Sequence, residues 1–428
     1  MEIVVKNIGK VKEANIKIDG ITVIAGENDT GKSTISKVLF TVFNTFYNIN
    51  KKIKMQKESS IKKIIDSSIY NKIDFSNETF FESFFENSNF TRMITNEIIK
   101  NFEIYKINNN KLRNKILDYL EEFNLRLEKN SNINDIVEKI KLVLNISNEE
   151  AEKSILNENL NNEFNKQINN IFFDKKGIIE IKLKNKQLKF RIFNDKIENI
   201  EKSTEIMITH KAIYLDDPFI IDETSYKVRP SNHKEFLTKK LLLEIEDKDK
   251  NNNIEEIIVT KKLENIYKKL NSICSGSIVE SSKNLNTYSY KLNNKELEVK
   301  NLSAGLKTFV ILKTLLEKGI LEENGVIILD EPEIHLHPAW QVIFAELIVL
   351  IQKEFNMHIL LNTHSPYFLN AVEIYAKKHN IKERCNFYSA YLSGQFYEFK
   401  DVTDNIEEIY YKLARPFQDL ENERYSND

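Results

Sequence analysis

The stretch "GENDTGKST", residues 26–34, fits G-x-x-x-x-G-K-[ST] and constrains this chain more than any other segment. The all-apolar run "ITVIA" before it reads as a buried strand. After it, Ser33 to Phe46 should form a helix with Ile35, Val38, Leu39, Val42 and Phe46 on one face. Strand, loop and helix in that order let loop amides and the positive end of a helix surround a phosphate chain. Lys32 would reach the β- and γ-phosphates, Ser33 would place its hydroxyl on Mg²⁺, and Thr34 would sit near the α-phosphate. Gly26, Glu27, Asn28, Asp29, Thr30 and Gly31 make up the rest of the loop.

Composition narrows the class. The chain has 428 residues, enough for two or three domains or for one with a large insertion. Hydrophobic residues make up 41% and charged residues 29%, which is ordinary for a chain with a real core. A formal net charge of −2 gives no global basic field for nonspecific DNA binding, although a local basic patch remains open. Two distant cysteines, Cys274 and Cys385, argue against a disulfide framework or a zinc cluster and fit a reducing compartment. "MEIVVKNIGK" has no apolar signal core, and no run of about eighteen apolar residues occurs, so a cytoplasmic protein without membrane spans is expected.

Three further stretches carry chemistry. "VIILDEP", 326–332, describes a buried strand whose carboxyl end presents Asp330 and Glu331. Asp330 would hold Mg²⁺ through water, and Glu331 is suited to orient or deprotonate an attacking water. "LSAGLK", 302–307, opens a helix expected over Leu306–Leu316, so Ser303 and Gly305 read as a second phosphate-binding terminus or as an ordinary helix start. "HILLNTHSP", 358–366, is a strand ending at Thr363 and followed by His364, a structural or a catalytic histidine. "DEPEIHLHP" taken alone, with three carboxylates and two histidines, also suggests a private metal site.

The order of these motifs resembles the ATPase domains of the ABC superfamily. The SMC-like and OLD-like ATPases are closer than the transporters, and the ATPases of the Septu, PARIS and retron anti-phage systems are especially similar. The resemblance implies an α/β fold: an ABC-type head with a mostly parallel P-loop sheet, an N-terminal antiparallel β layer and a helical insertion. It implies ATP and Mg²⁺ as ligands, with Glu331 and His364 catalytic. It further implies a head-to-tail dimer in which Ser303 and Gly305 reach the nucleotide of the other copy. Asn28 and its neighbours then belong to Walker A, and His335 and His337 fall where the family has its D-loop. Two departures stand out: Asp29 occupies a position where many members carry glycine, and no glutamine marks the Q-loop. Asp216 or Asp217 could take that polar role, and a plain turn before Pro218 is the alternative.

On this reading the ATPase core comprises 1–46, 172–218 and 301–428. Residues 47–171 form a helical insertion, a sensor or partner surface or else an elaborated lid. Residues 219–300 form a helical lid leading to the signature motif. Strand–turn–strand is expected over 177–201 and a hairpin before 301. The stretch after His364 is too short for the TOPRIM domain that follows the ATPase of OLD nucleases, so a separate effector protein is the expected output. The expected function is thus an ATP-hydrolysing switch in anti-phage defence. A DNA-repair or chromosome-associated ATPase that clamps DNA is the alternative, and a metal hydrolase built on the "HLH" triplet is a third.

Overall fold

"ITVIA", "VIILD" and "HILLNT" are aliphatic on both faces, and such runs are stable only where both faces of a sheet are covered. In the computed structural model they lie side by side in one large sheet. The structure describes residues 1–70, 80–123, 126–127, 132–170, 172, 175–203, 206–222, 232–242, 263–281 and 288–426. The 219–300 lid expectation therefore lies partly outside the described residues, as does part of the expected 47–171 insertion.

The chain divides into two compact units, one of residues 1–47 and 156–428, the other of residues 48–155. The larger unit holds an eleven-stranded sheet. Its strands in chain order are β1 (Glu2–Ile8), β2 (Val11–Lys17), β3 (Ile21–Ala25), β4 (Gly177–Leu183), β5 (Lys186–Phe193) and β6 (Lys196–Lys202). They continue with β7 (Ala212–Leu215), β8 (Val326–Asp330), β9 (His358–Thr363), β10 (Cys385–Ser393) and β11 (Phe396–Asp401). Across the sheet the order is β6-β5-β4-β1-β2-β11-β10-β3-β9-β8-β7. The five strands from β10 to β7 are mutually parallel, while β6 to β2 form an antiparallel run joined to them through β11.

Where one strand–turn–strand was expected over 177–201 there are three strands. Asn194 and Asp195 both have positive φ, 48° and 58°, the pairing that suits a two-residue hairpin turn. Lys184, at 53°, marks the other turn.

Register decides the function of the parallel half. Asp330 pairs with Asn362 and Thr363 with Ala25, so the carboxyl ends of β8, β9 and β3 align, and Ala25 pairs with Ser389 in the middle of β10. The loops that follow emerge together along one edge, the usual location of ligands on such sheets. Helices α1 (Lys32–Phe46), α2 (Asn148–Glu163), α3 (His233–Leu242), α4 (Ala304–Glu317), α5 (Pro338–Phe355), α6 (Pro366–Lys378) and α7 (Glu407–Ser426) belong to this unit, α2 starting in the other. Where 219–300 was expected to be a helical lid ending in a hairpin, the described residues include a helical stretch at 263–271 and a three-stranded antiparallel sheet of Ser277–Glu280, Tyr288–Leu292 and Lys295–Glu298. Ile327, Leu329, Ile359, Leu361, Phe309 and Phe344 sit at its core, each 1% exposed or less. Full burial of such a side chain stabilises by about 1.5–3 kcal/mol.

The smaller unit is helical, with helices at Ile49–Asp66, Phe80–Lys100, Phe102–Ile107, Asn109–Glu122 and Ile133–Asn145. Ile61, Ile94, Ile98, Leu112, Ile140 and Leu144 recur at helical spacing and form its core. Among the described residues no helix is long and apolar enough to cross a membrane. Cys274 and Cys385 are both buried and free.

One charged cluster is built into the packing of the larger unit. His233, at the start of α3, has Nδ1 2.5 Å from Glu163 Oε1 and Nε2 3.0 Å from Asp216 Oδ2. Its backbone N–H also donates to Glu163 Oε2 at 3.0 Å. Burial alone would lower the imidazole pKa, but the two carboxylates outweigh it and raise the value from 6.5 to about 9. The folded state thus holds the imidazolium more tightly than the unfolded chain does. Its stabilisation should be complete below pH 6.5 and disappear as pH rises through about 9, an effect of about 3 kcal/mol. Urea unfolding followed from pH 6 to 10 should show this decline, and His233→Gln should flatten it.

Candidate active site

The loop after β3 is closed by two left-handed residues. Gly31 has φ +90°, and a Cβ there would lie 2.9 Å from Val11 Cγ2, so only glycine fits before α1. Asp29 has φ +63°, which explains why glycine suits that position, and an aspartate tolerates this conformation better than most residues. Its carboxylate pairs with Lys10 at the β1–β2 turn. Thr30 is buried and donates its hydroxyl to Glu27 O at 3.0 Å. Lys32, 4% exposed, donates to Gly26 O at 2.9 Å and to Glu27 O at 2.7 Å. Glu27, Asn28, Asp29 and Ser33 are exposed, and Thr34 is half-buried.

The adjacent strands supply the acidic side of the site. Asp330 ends β8, nearly buried, and both carboxylate oxygens are engaged: Oδ2 accepts from the Tyr214 hydroxyl and Oδ1 from Asn362 Nδ2, each at 2.8 Å. Burial, then the charge of Asp330, raises the Tyr214 phenol well above its ordinary value, so it stays a donor. Asn362 Nδ2 also reaches Ser36 Oγ on α1 at 2.8 Å, tying three elements together.

Glu331 follows with φ +51°, a conformation that costs a non-glycine residue about 1–3 kcal/mol. Its N–H donates to Asn362 O at 2.9 Å, which holds the turn. In this pose Glu331 Oε1 lies 3.3 Å from Lys32 Nζ and 3.3 Å from His364 Nδ1. His364, against the effect of burial and with help from Lys32, holds the Glu331 carboxyl below its usual range; Glu331 in turn raises the imidazole. Glu333 is buried beneath them, accepting from the Thr363 hydroxyl and, at 3.3 Å, from the His364 N–H. P-loop lysine, Glu331 and His364 thus converge, although they lie about three hundred residues apart in the chain.

The remaining expected residues lie elsewhere. Ser303 caps α4, accepting from Leu306 N at 3.4 Å, and the helix starts at Ala304, earlier than the expected Leu306. A Cβ on Gly305 would meet His335 O at 2.8 Å, so close packing needs glycine there. Among the described residues no hydrogen bond or ion pair joins Ser303 or Gly305 to the P-loop of the same chain. Asp216 is engaged by His233, and Asp217 closes a turn by accepting from Phe219 N at 2.9 Å. His335 is edge-on to Phe219, and His337 caps α5 through Nδ1. Among the described residues no group of three or more His, Cys, Asp or Glu side chains is gathered as a private metal site would need.

A Mg²⁺ bound with a nucleotide has different requirements, namely oxygen donors and room for water. The exposed hydroxyl of Ser33 and the carboxylate of Asp330, whose oxygens already carry protein donors and so suit contact through water, fit that chemistry. Tyr214 and Lys10 belong to the site without a motif to announce them, whereas Asn362 and Glu333 lie inside "HILLNTHSP" and "DEPEIHLHP". The one available signal was a tyrosine in the otherwise aliphatic strand "AIYL".

A phosphate-binding loop at the carboxyl edge of a parallel sheet, beside Asp-Glu and a histidine, defines a P-loop ATPase. The model of the AAA ATPase domain family matches residues 1–369, and the chain belongs to that family. It is similar to the retron Vc95 probable ATPase of Vibrio cholerae serotype O1 biovar El Tor, 26% identical over 195 residues, 42% of this chain and 37% of that protein. It is also similar to the retron Ec83 probable ATPase of Escherichia coli, 34% identical over 92 residues, 19% of this chain and 16% of that protein. The matches span less than two-fifths of either relative. Among solved structures, an SMC head bound to the C-winged helix domain of ScpA has a TM-score of 0.40 at 11% identity, covering 94% of this chain and 96% of that one. The SMC head domain from Thermotoga maritima has a TM-score of 0.36 at 10% identity, with 94% and 98% covered. Scores that low carry no weight, and strand order and register alone establish the fold.

Gly31→Ala should expose the constraint on the loop. With φ +90° and a contact to Val11, the variant should lose about 1–3 kcal/mol of stability in thermal or urea unfolding.

Proposed function

We propose that the protein binds ATP in the 26–34 loop and hydrolyses it to ADP and phosphate. We further propose that two copies pair head-to-tail around the nucleotides, and that this switch controls a separate effector, a nuclease or toxin, in bacterial anti-phage defence. The observation that carries the catalytic part is the position of Glu331 Oε1, 3.3 Å from both Lys32 Nζ and His364 Nδ1. A carboxylate beside the phosphate-binding lysine is where a base must stand to take a proton from water.

In the proposed reaction Lys32 and the loop amides bind the β- and γ-phosphates. Mg²⁺, held by Ser33 and through water by Asp330, would supply positive charge to the phosphate oxygens. Glu331, whose carboxyl His364 and Lys32 hold below its usual range, accepts the proton as the water oxygen bonds to the γ-phosphorus. The bond to the β–γ bridging oxygen then breaks, and ADP carries away the electron pair. His364, on the other side of Glu331, orients that carboxylate and senses the γ-phosphate.

Pairing is supported by the separation of the two phosphate-binding termini. Ser303 is exposed at the start of α4 and has no partner in the P-loop of its own chain, so a second copy would bring its Ser303 and Gly305 to this one's nucleotide. The defence role is supported by the resemblance to the retron ATPases. ATP then biases a two-state equilibrium between single and paired heads.

Glu331→Gln should lower phosphate release about 10²–10⁴-fold while ATP binding persists. Light scattering should then show the variant doubling in mass with ATP, and Lys32→Ala should bind no ATP and stay single. Hydrolysis at the wild-type rate by Glu331→Gln would remove Glu331 as the base. Co-purification with the product of the adjacent gene, with and without ATP, tests the effector.

A further inference from the structure

Tyr214 has a role that packing does not account for. It lies in β7, where every residue is buried, and its ring is 1% exposed. Its strand neighbours Ala212, Ile213 and Leu215 are plain core residues, and a phenylalanine would fill the same space. The difference is one hydroxyl, whose protein partner is Asp330 Oδ2 at 2.8 Å. Burying a phenol next to a carboxylate has a desolvation cost that a core position alone would not incur. With Asn362 holding Oδ1, the hydroxyl fixes the plane of the carboxylate, so Asp330 has one orientation and not several.

The ring is itself held. His233 stacks against it with centroids 4.2 Å apart and planes 26° from parallel, and Phe40 packs at 6.1 Å. His233 in turn is fixed between Glu163 at the end of α2 and Asp216 just after β7. Phe40 lies on α1, the helix that opens with Lys32. A continuous set of contacts therefore runs from α2 through His233 and the Tyr214 ring to Asp330.

We propose that Tyr214 is a positioning residue for the metal-binding carboxylate: its hydroxyl orients Asp330, and the Glu163–His233–Asp216 clamp holds the ring that presents the hydroxyl. The proposal rests on the ATP and Mg²⁺ reading above. Groups behind a metal ligand commonly set its affinity by about 10–100-fold, because the ligand must be pointed as well as present. A hydroxyl that only satisfied the core would leave metal binding unchanged when removed.

The test is metal binding, read without turnover. Mn²⁺ is titrated into the full chain with a non-hydrolysable ATP analogue, and free Mn²⁺ is followed by electron paramagnetic resonance. Tyr214→Phe should weaken Mn²⁺ binding about tenfold, while affinity for the analogue without metal stays within about twofold of wild type. His233→Gln, which keeps a donor for Glu163 but no aromatic face, should weaken Mn²⁺ in the same direction, by about threefold. Unchanged or tighter Mn²⁺ binding in both variants would overturn the proposal, even if either variant has a lower melting temperature. Failure of the wild-type chain to bind the analogue at all would instead overturn the nucleotide reading, and this proposal with it.

Discussion

The ammonium of Lys32 is buried, and a buried cation is tolerated only where its charge is shared. Here two loop carbonyls accept from it and the Glu331 carboxylate faces it. Left unpaired, such a charge would cost several kcal/mol, so the loop cannot relax away from the lysine without penalty. That one constraint shapes the rest. The loop curls over the ammonium, Gly31 turns left-handed to begin the helix, and β8 must end where Glu331 can reach across. The parallel register of β3, β9 and β8 satisfies this last demand by aligning three carboxyl ends on neighbouring strands.

Glu331 bears the local strain that results. A left-handed glutamate is unfavourable, and Asn362 offsets it by accepting the Glu331 N–H on its carbonyl while its side chain holds Asp330. Asn362 thus fixes both acids of "DEP" from the adjacent strand. Strain of this kind persists where surrounding contacts over-determine the geometry, and it concentrates where chemistry needs a fixed side chain. Here the fixed side chain is the carboxylate between Lys32 and His364.

Local features of this architecture were legible in the sequence. The helix after the loop begins at Lys32, one residue before the expected Ser33, because hydrophobic spacing and a glycine stop leave little freedom. β8 and β9 were legible for the same reason, as aliphatic runs ending in polar residues. Contacts across the fold were not. Tyr214 meets Asp330 across 116 residues, and Asn362 meets Ser36 across 326; no local period encodes such pairings. The third strand of the 177–202 meander was missed for a local reason, since "ND" at 194–195 is a turn signal that a second hairpin of similar composition obscured.

The start of α4 is held from within and capped only weakly. Lys307, buried in the first turn of α4, donates to Asp222 Oδ2 at 2.6 Å and lies 4.8 Å over the Phe219 ring, so the helix is anchored from within. Gly305 lets it press against His335 O and the Trp340 ring. Anchoring of that kind leaves the Ser303 cap with little structural work. Its bond to Leu306 N is 3.4 Å, long for a hydrogen bond, whereas a well-formed cap contributes about 1 kcal/mol. A hydroxyl so weakly engaged can turn to an anion at small cost, and the positive helix end would favour it. The first turn is therefore rigid in its backbone and loosely committed in its hydroxyl. The head-to-tail pairing proposed above would need both properties.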